Sequence, residues 1–374
     1  MNEAITGAEA VAYGAKLCKP EVVAAYPITP QSHITERISK FVADGELKTE
    51  YVSVESEFSA ISCVVGASAT GVRTFTATAS QGVALMHEVL FAAAGMRLPI
   101  VMPVANRALS APINIWNDWQ DSISERDNGW VQLYCENNQE ALDTTIQAYR
   151  VAENNDVLLP TMVNLDGFYL THTVERVDIP EEKKVDKFVG KYKPQQIYLD
   201  TKRPMTQGPF AYPEYYYKIR HGVELAIQNA KPVFKQTDAA FKKEFGRGYG
   251  MLEKTKDSDT LIMTMGTMVG NARVAAEELG CGVLKLKLYR PLPREELLKA
   301  VEGVDTIVII EKDVSFGLGS GALFSEMRDL LYEAKDRPVI SGWIGGMGGQ
   351  DVSVPDVVKM VKTAKDNKCE WWMP

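Results

Sequence analysis

Three polar side chains stand where an apolar run has just ended: Thr29 in "AAYPITPQS", Glu57 in "SVESEFSA" and Arg107 in "MPVANRALS". Gln81 follows "FTATAS" in the same way. An arginine matches a carboxylate bidentately, so Arg107 with a nearby hydroxyl suits an acid substrate. A glutamate followed by "FSAISCVVGASATG", small or apolar throughout, can keep a raised pKa and hydrogen-bond a ligand nitrogen. On spacing alone plainer roles stay open: Glu57 can stabilise a helix N-terminus through the dipole, and Arg107 can pair with Asp118, Asp121 or Glu125. Arg107 also opens a long loop holding Pro112, Trp116, Asp118, Trp119 and Trp130, and long aromatic loops are more often functional than idle.

The elements that must position these residues alternate regularly through residues 1–172. "GAEAVAYGAKLC", "SHITERISKFVADG", "SEFSAISCVVGASATG", "GVALMHEVLFAAAGM" and "QEALDTTIQAYRVAENN" read as helices. Between them "EVVAAY", "EYVSV", "RTFTAT", "PIVMPVA", "WVQLYC" and "TMVNLDGF" read as strands of a parallel sheet covered on both faces. In such a doubly wound sheet ligands sit beyond the carboxyl ends of the strands, which is where Thr29, Glu57, Gln81 and Arg107 fall. Thr29 stands between two prolines: Pro27 ends strand pairing and Pro30 biases Thr29 toward an extended backbone.

From about residue 173 to 256 the rhythm fails, and a surface linker with one helix near residues 214–248 is expected. Its tyrosines from Tyr212 to Tyr217 would pack on a partner or beneath the linker. Alternation resumes over residues 257–374, including "GVLKLKLY" as a single strand, and gives a second, smaller α/β domain.

The remaining features narrow the chemistry. A net charge of -8 without a basic run argues against nucleic acid. The absence of an 18-residue apolar run or a signal-like start predicts a cytoplasmic protein with no membrane span. Cys18, Cys63, Cys135, Cys281 and Cys369 form no CxxC pair, so mostly buried free thiols are expected, and no metal site in this chain. "FGLGSG" and "IGGMGGQD" lack phosphate-loop spacing and read as tight turns. His33, His87, His172 and His221 are scattered and suggest neither a hydrolase triad nor a metalloenzyme helix.

Together "YPITPQS", "VESEFSA", "FTATASQG", "NRALSAPINIWNDWQD" and "LDGFYLTH" resemble the alpha subunits of the 2-oxoacid:ferredoxin oxidoreductases, of the pyruvate:ferredoxin oxidoreductase type. "YRPLPREEL" and "GGQDVS" extend the resemblance through the second domain. It implies a pyrimidine-type thiamine-diphosphate-binding domain over residues 1–172, a linker with a helix over 173–256, and a transketolase C-terminal-like domain over 257–374. It assigns Glu57 to the aminopyrimidine ring of thiamine diphosphate, where a proton held on the ring favours the tautomer that activates the thiazolium C2 position. It assigns Thr29 and Arg107 to the 2-oxoacid carboxylate, and Pro27, Ile28 and Gln81 to cofactor contact.

The implied reaction interconverts pyruvate and CoA with acetyl-CoA, CO2 and reduced ferredoxin. "GDG", the usual diphosphate and metal motif, occurs nowhere, so the chain is expected to be half of an active site. By the resemblance a beta subunit supplies the diphosphate and Mg2+ site with a cluster, a ferredoxin-like delta subunit supplies further [4Fe-4S] clusters, and a gamma subunit completes the complex. Gln31 and Trp119 stand where some relatives have serine and histidine, and both are expected near the substrate. A subunit acting on a branched-chain or other 2-oxoacid is the alternative within the class, and a non-catalytic scaffold subunit the alternative outside it.

Overall fold

The apolar runs assemble into one large sheet. In the computed structural model, which describes residues 1–194, 198–332, 334 and 336–373, its strands run in the order Leu288–Arg290, Val131–Tyr134, Thr161–Asp166, Val101–Asn106, Thr74–Phe75, Val22–Ala25 and Glu50–Ser53. Neighbours pair in parallel except Leu288–Arg290, which lies antiparallel on Val131–Tyr134. Val101–Asn106 and Thr161–Asp166 are buried at every position, as strands covered on both faces must be.

Side chains along these strands alternate between two cores. Val23, Val101 and Val163 join Val11, Ile38 and Ile146 on one face. Ala24, Met102 and Met162 join Ile61, Met86 and Phe234 on the other. Helices Gly7–Cys18, Ser32–Ala43 and Asn138–Ala152 cover the first face, and Glu57–Ala69 and Gln81–Gly95 the second.

The second sheet has the order Lys368–Trp371, Val339–Ile344, Thr306–Glu311, Thr260–Thr264, Gly282–Leu286 and Leu252–Lys254, parallel except for its last strand. Here the structure corrects the sequence reading: "GVLKLKLY" is two strands, not one. Gly282–Leu286 belongs to the second sheet and Leu288–Arg290 to the first. At the break Lys287 is fully buried and donates to Glu140 Oε1 at 2.7 Å and Thr144 Oγ1 at 2.6 Å. Lys285 reaches the other Glu140 oxygen at 2.7 Å. Burial pushes the Glu140 carboxyl up, but the two ammonium groups outweigh it and hold the pKa at about 2.

The connecting stretch is more ordered than a surface linker with one helix. Val174–Asp178 pairs antiparallel with Asn2–Thr6, and helix Glu182–Val189 precedes the 33-residue helix Pro213–Phe245. Residues 195–197 of the expected linker and residues 333, 335 and 374 of the expected second domain lie outside the described residues. The tyrosines do not pack beneath the linker: Tyr212, Tyr215, Tyr216 and Tyr217 are all exposed, although the same helix buries Val223, Ile227 and Phe234 further along. The five cysteines are free thiols, with Cys18, Cys135 and Cys281 buried. No helix among the described residues is long and apolar enough to cross a membrane.

Candidate functional site

The chain runs from Val22–Ala25 outward to Glu50–Ser53, then returns to the other side of Val22–Ala25 at Thr74–Phe75. A reversal of this kind opens a crevice at the carboxyl ends of the strands. Thr29, Glu57, Gln81 and Arg107 follow four contiguous parallel strands and therefore share that edge.

Thr29 and Arg107 meet directly. Arg107 donates through Nη1 to the Thr29 carbonyl at 2.9 Å and through Nε to the Asn114 carbonyl at 2.9 Å. Arg107 is 6% exposed, and burial lowers its pKa. None of the three acids suggested by spacing pairs with its guanidinium. Asp118 accepts the Gly348 and Gln120 N–H groups, Glu125 takes His87 and Asn128, and Asp121 takes the Arg107 backbone N–H at 3.0 Å. Two carbonyl contacts leave guanidinium N–H groups over for a ligand carboxylate.

The turn before helix Ser32–Ala43 holds Thr29 in place. Gln31 and Ser32 donate their backbone N–H groups to the Ile28 carbonyl, and the buried Gln31 side chain accepts the Ile28 N–H at 3.3 Å. Pro27 is exposed and Ile28 half-buried in this turn. Gln31 lies beside Thr29 as expected, and its Nε2 has no partner among the described residues. Trp119 does not lie free at the substrate end. It is fully buried and donates its indole N–H to Asp166 at 2.7 Å, so it wedges the two sheets together.

Glu57 begins helix Glu57–Ala69, whose N-terminus is capped by Ser56 accepting from the Ser59 N–H. The residue is 8% exposed, and its carboxyl makes no hydrogen bond to the described residues. It packs against the first turn of helix Gln81–Gly95. A Cβ added at Gly82 would stand 2.2 Å from Thr78 Oγ1, 2.7 Å from Glu57 Cγ and 2.9 Å from Glu57 Oε1. Gly82 thus has no side chain because Glu57 and Thr78 occupy that space. Gln81 sits alongside, and its amide nitrogen is buried with no partner among the described residues.

The second sheet buttresses the arginine loop from outside. Gly346, Gly348 and Gly349 have φ of 86°, 60° and 78°, so "IGGMGGQD" is a turn region as expected. Asn114 donates to the Gly348 carbonyl at 2.9 Å, and the Gly349 N–H donates to the Asn117 carbonyl at 2.7 Å. A Cβ at Gly349 would lie 2.3 Å from Trp116 Cβ. Burial, with Asp121 nearby, pushes the Asp118 carboxyl up to about 7. Asp166 differs: burial raises it, but Lys312, Thr267 and the Trp119 indole outweigh that and hold it low.

The sequence reading missed Gly82, Gly349 and Asp121 as parts of the site. Asp121 was visible only as one of three acids that could pair with Arg107, and the glycines only as small residues in helix and turn patterns.

Residues 13–239, more than half of the chain, match the family described as pyruvate flavodoxin/ferredoxin oxidoreductase, thiamine diphosphate-binding. The chain belongs to this oxidoreductase family. Residues 258–357 match the pyruvate:ferredoxin oxidoreductase core domain II, so both sheets carry oxidoreductase sequence. Among curated oxidoreductase relatives, the pyruvate synthase subunit PorA of Pyrococcus abyssi is 52% identical, covering 96% of this chain and 92% of its own. That of Methanocaldococcus jannaschii is 49% identical over 98% of this chain and 96% of its own. The ketoisovalerate oxidoreductase subunit VorA of Pyrococcus horikoshii is 42% identical over 100% and 98%. The fold is that of a solved 2-oxoglutarate:ferredoxin oxidoreductase from Magnetococcus marinus, with a TM-score of 0.74 at 19% identity, covering 96% of this chain and 65% of that one.

Proposed function

We propose that this chain is the alpha subunit of a pyruvate:ferredoxin oxidoreductase, holding the pyrimidine end of thiamine diphosphate and the carboxylate of pyruvate. The observation that carries this reading is Glu57, a largely buried residue whose carboxyl makes no hydrogen bond to the described residues, beside a glycine and at the same sheet edge as the Thr29–Arg107 pair. A carboxyl that makes no hydrogen bond to the described residues at this sheet edge is left over to take one from a ligand. The aminopyrimidine ring fits that need through its ring nitrogen.

When bound, thiamine diphosphate supplies the nucleophile for the 2-oxo carbon and the electron sink for loss of CO2. Glu57 would share a proton at its carboxyl oxygen with the ring nitrogen, which sets the protonation state that activation needs. Arg107 would take the substrate carboxylate with its remaining N–H groups, and Thr29 would support it from the strand end. Orienting the carboxylate fixes where the neighbouring carbonyl carbon stands. Pro27, Ile28 and Gln81 would complete the wall around the ring.

Other subunits would complete the site: a beta subunit with the diphosphate and Mg2+ site, a gamma subunit, and a ferredoxin-like delta subunit with [4Fe-4S] clusters that passes electrons to ferredoxin. The lack of "GDG" in the sequence supports this division. So does the outer face of helices Glu57–Ala69 and Gln81–Gly95, where Phe58 is 40% and Leu85 50% exposed among Ser62, Gly66, Ala84 and Ala92, with Glu88 the charged residue between them. Apolar surface next to a half-site marks a place where a partner covers it. A complex of this kind would work in the cytoplasm.

Pyruvate is preferred over a branched 2-oxoacid because the relatives named pyruvate synthase subunits reach 52% identity and the ketoisovalerate relative 42%. The test is ferredoxin reduction by the purified complex with pyruvate against 2-oxoisovalerate, each with CoA. Higher kcat/KM for pyruvate is expected, and a preference for the branched acid would overturn the assignment.

A further inference from the structure

We propose that Asp121 is the positioning residue that holds the substrate arginine and the cofactor wall in register. This rests on the reading of Arg107 as the residue that binds the 2-oxoacid carboxylate. Asp121 is 1% exposed, in the short helix Gln120–Ser124 beneath the crevice. Its Oδ2 accepts the Ser80 N–H at 2.9 Å and the Arg107 N–H at 3.0 Å. Its Oδ1 accepts the Asn106 side-chain amide at 2.9 Å and the Ser122 N–H at 2.7 Å.

All four partners are donors, so a proton on either oxygen would face an N–H group. The arrangement therefore calls for the ionised carboxylate. Burial raises the Asp121 pKa, while the Asn106 amide and the backbone N–H groups of Arg107, Ser80 and Ser122 oppose the rise. The group is thus a buried anion held by dipoles, and no salt bridge to it occurs among the described residues.

Its two Oδ2 partners lie on different walls. Ser80 precedes Gln81 and the glycine on which Glu57 rests, whereas Arg107 carries the guanidinium that meets Thr29. Ser80 has φ 48° and ψ -122°, a conformation non-glycine residues rarely adopt, which persists only where the surroundings over-determine it. The Asp121 bond to its N–H and the Ser80 hydroxyl bond to the Ala108 carbonyl supply that constraint. One carboxylate thereby ties segment 80–81 to segment 107–108.

An asparagine at 121 would turn an NH2 group toward two of the four donors: toward Ser80 and Arg107 it releases one wall from the other, and toward Asn106 and Ser122 it loosens the anchor that holds the tie in place. The wall released through Arg107 shows itself in substrate binding, because the guanidinium has no ion pair of its own among the described residues and takes its position from its backbone and two carbonyls.

The experiment uses the purified, assembled complex, with assembly checked by native mass spectrometry. Asp121→Asn should raise KM for pyruvate about tenfold while KM for CoA stays within about twofold. Arg107→Lys should raise KM for pyruvate as well, and the double variant should show less than the product of the two single effects, because both act through one group. If Arg107→Lys raises KM but Asp121→Asn leaves it unchanged, or if the two effects multiply, the Asp121 proposal fails and the Arg107 reading stands. If Arg107→Lys leaves KM unchanged, that reading fails and the proposal with it. Should the Asp121→Asn complex not assemble, Asn106→Leu, which removes one donor from Oδ1, is the second variant. An increase of about threefold in KM supports the proposal, and an unchanged KM overturns it.

Discussion

Replacing Gly82 by alanine adds one methyl group at the point where Glu57 is seated. That methyl would stand 2.2 Å from Thr78 Oγ1, 2.7 Å from Glu57 Cγ and 2.9 Å from Glu57 Oε1. Ordinary carbon contacts lie near ~3.5–4.0 Å, so Glu57 must withdraw by about 1 Å. Two effects on stability oppose each other. Alanine favours the helix by about 0.5–1 kcal/mol over glycine, and overpacking costs about 1–3 kcal/mol. The balance is a loss of roughly 0–2.5 kcal/mol, a small change in melting temperature for a chain of this size.

Activity should respond far more strongly. A displacement of about 1 Å at a proton-sharing group costs on the order of 100-fold in rate. The assay is 2-oxoacid-dependent ferredoxin reduction by the assembled complex, alongside a thermal melt. Gly270→Ala serves as the control, since a Cβ there meets nothing within 4 Å. It should leave turnover unchanged and stability equal or slightly higher. Wild-type turnover in the Gly82→Ala complex would refute the reasoning, because Glu57 would then tolerate a shift the account forbids.

Gly349→Ala presses a methyl onto Trp116, 2.3 Å from its Cβ, at a φ of 78° that disfavours a side chain. Because the Trp116 carbonyl accepts the Ala108 N–H, KM for the 2-oxoacid should rise several-fold, about threefold or more, with kcat less affected. Unchanged steady-state kinetics would separate the glycine turn from the substrate loop. Glu140 gives a pH test of the lock between the sheets. Its folded pKa of about 2 lies below the ordinary 4.5, so its stabilisation is complete above the ordinary value and is lost as pH falls toward 2. By linkage about 2 kcal/mol should disappear between pH 5 and pH 3. Urea unfolding at both pH values should show this loss in the wild type and its absence in Glu140→Gln; equal losses in the two proteins would count against the Lys285–Glu140–Lys287 cluster.

Much of the first sheet was legible in the sequence. Helix Gly7–Cys18 spans the residues its periodicity predicts, and the strands end within one to three residues of the apolar runs, because period and punctuation are local properties. What stayed hidden depends on tertiary choices. "GVLKLKLY" alternates evenly, and nothing in that pattern says that the chain changes sheets at Lys287. The partner that makes a buried lysine tolerable there, Glu140, lies far away in sequence. Trp119 looked like a pocket residue because it stands in the arginine loop, and only the fold reveals Asp166 as its partner.

The site was legible as residue types at strand ends. The Thr29–Arg107 contact follows from parallel strands of one sheet sharing an edge, an inference the alternation of helices and strands permits. The seat of Glu57 was not legible, since glycine at 82 is one small residue among many in "ASQGVALM". Its meaning lies in the space it leaves, which sequence patterns do not record.

The central claim is that Glu57 activates the cofactor, and the most direct measurement is turnover of the assembled complex carrying Glu57→Gln. Glutamine keeps the shape and loses the negative charge that, on the proposed reading, would share a proton with the ring. The account predicts a fall in kcat of about 100-fold or more, with assembly and KM for pyruvate little changed. Turnover equal to the wild type at saturating thiamine diphosphate would contradict it.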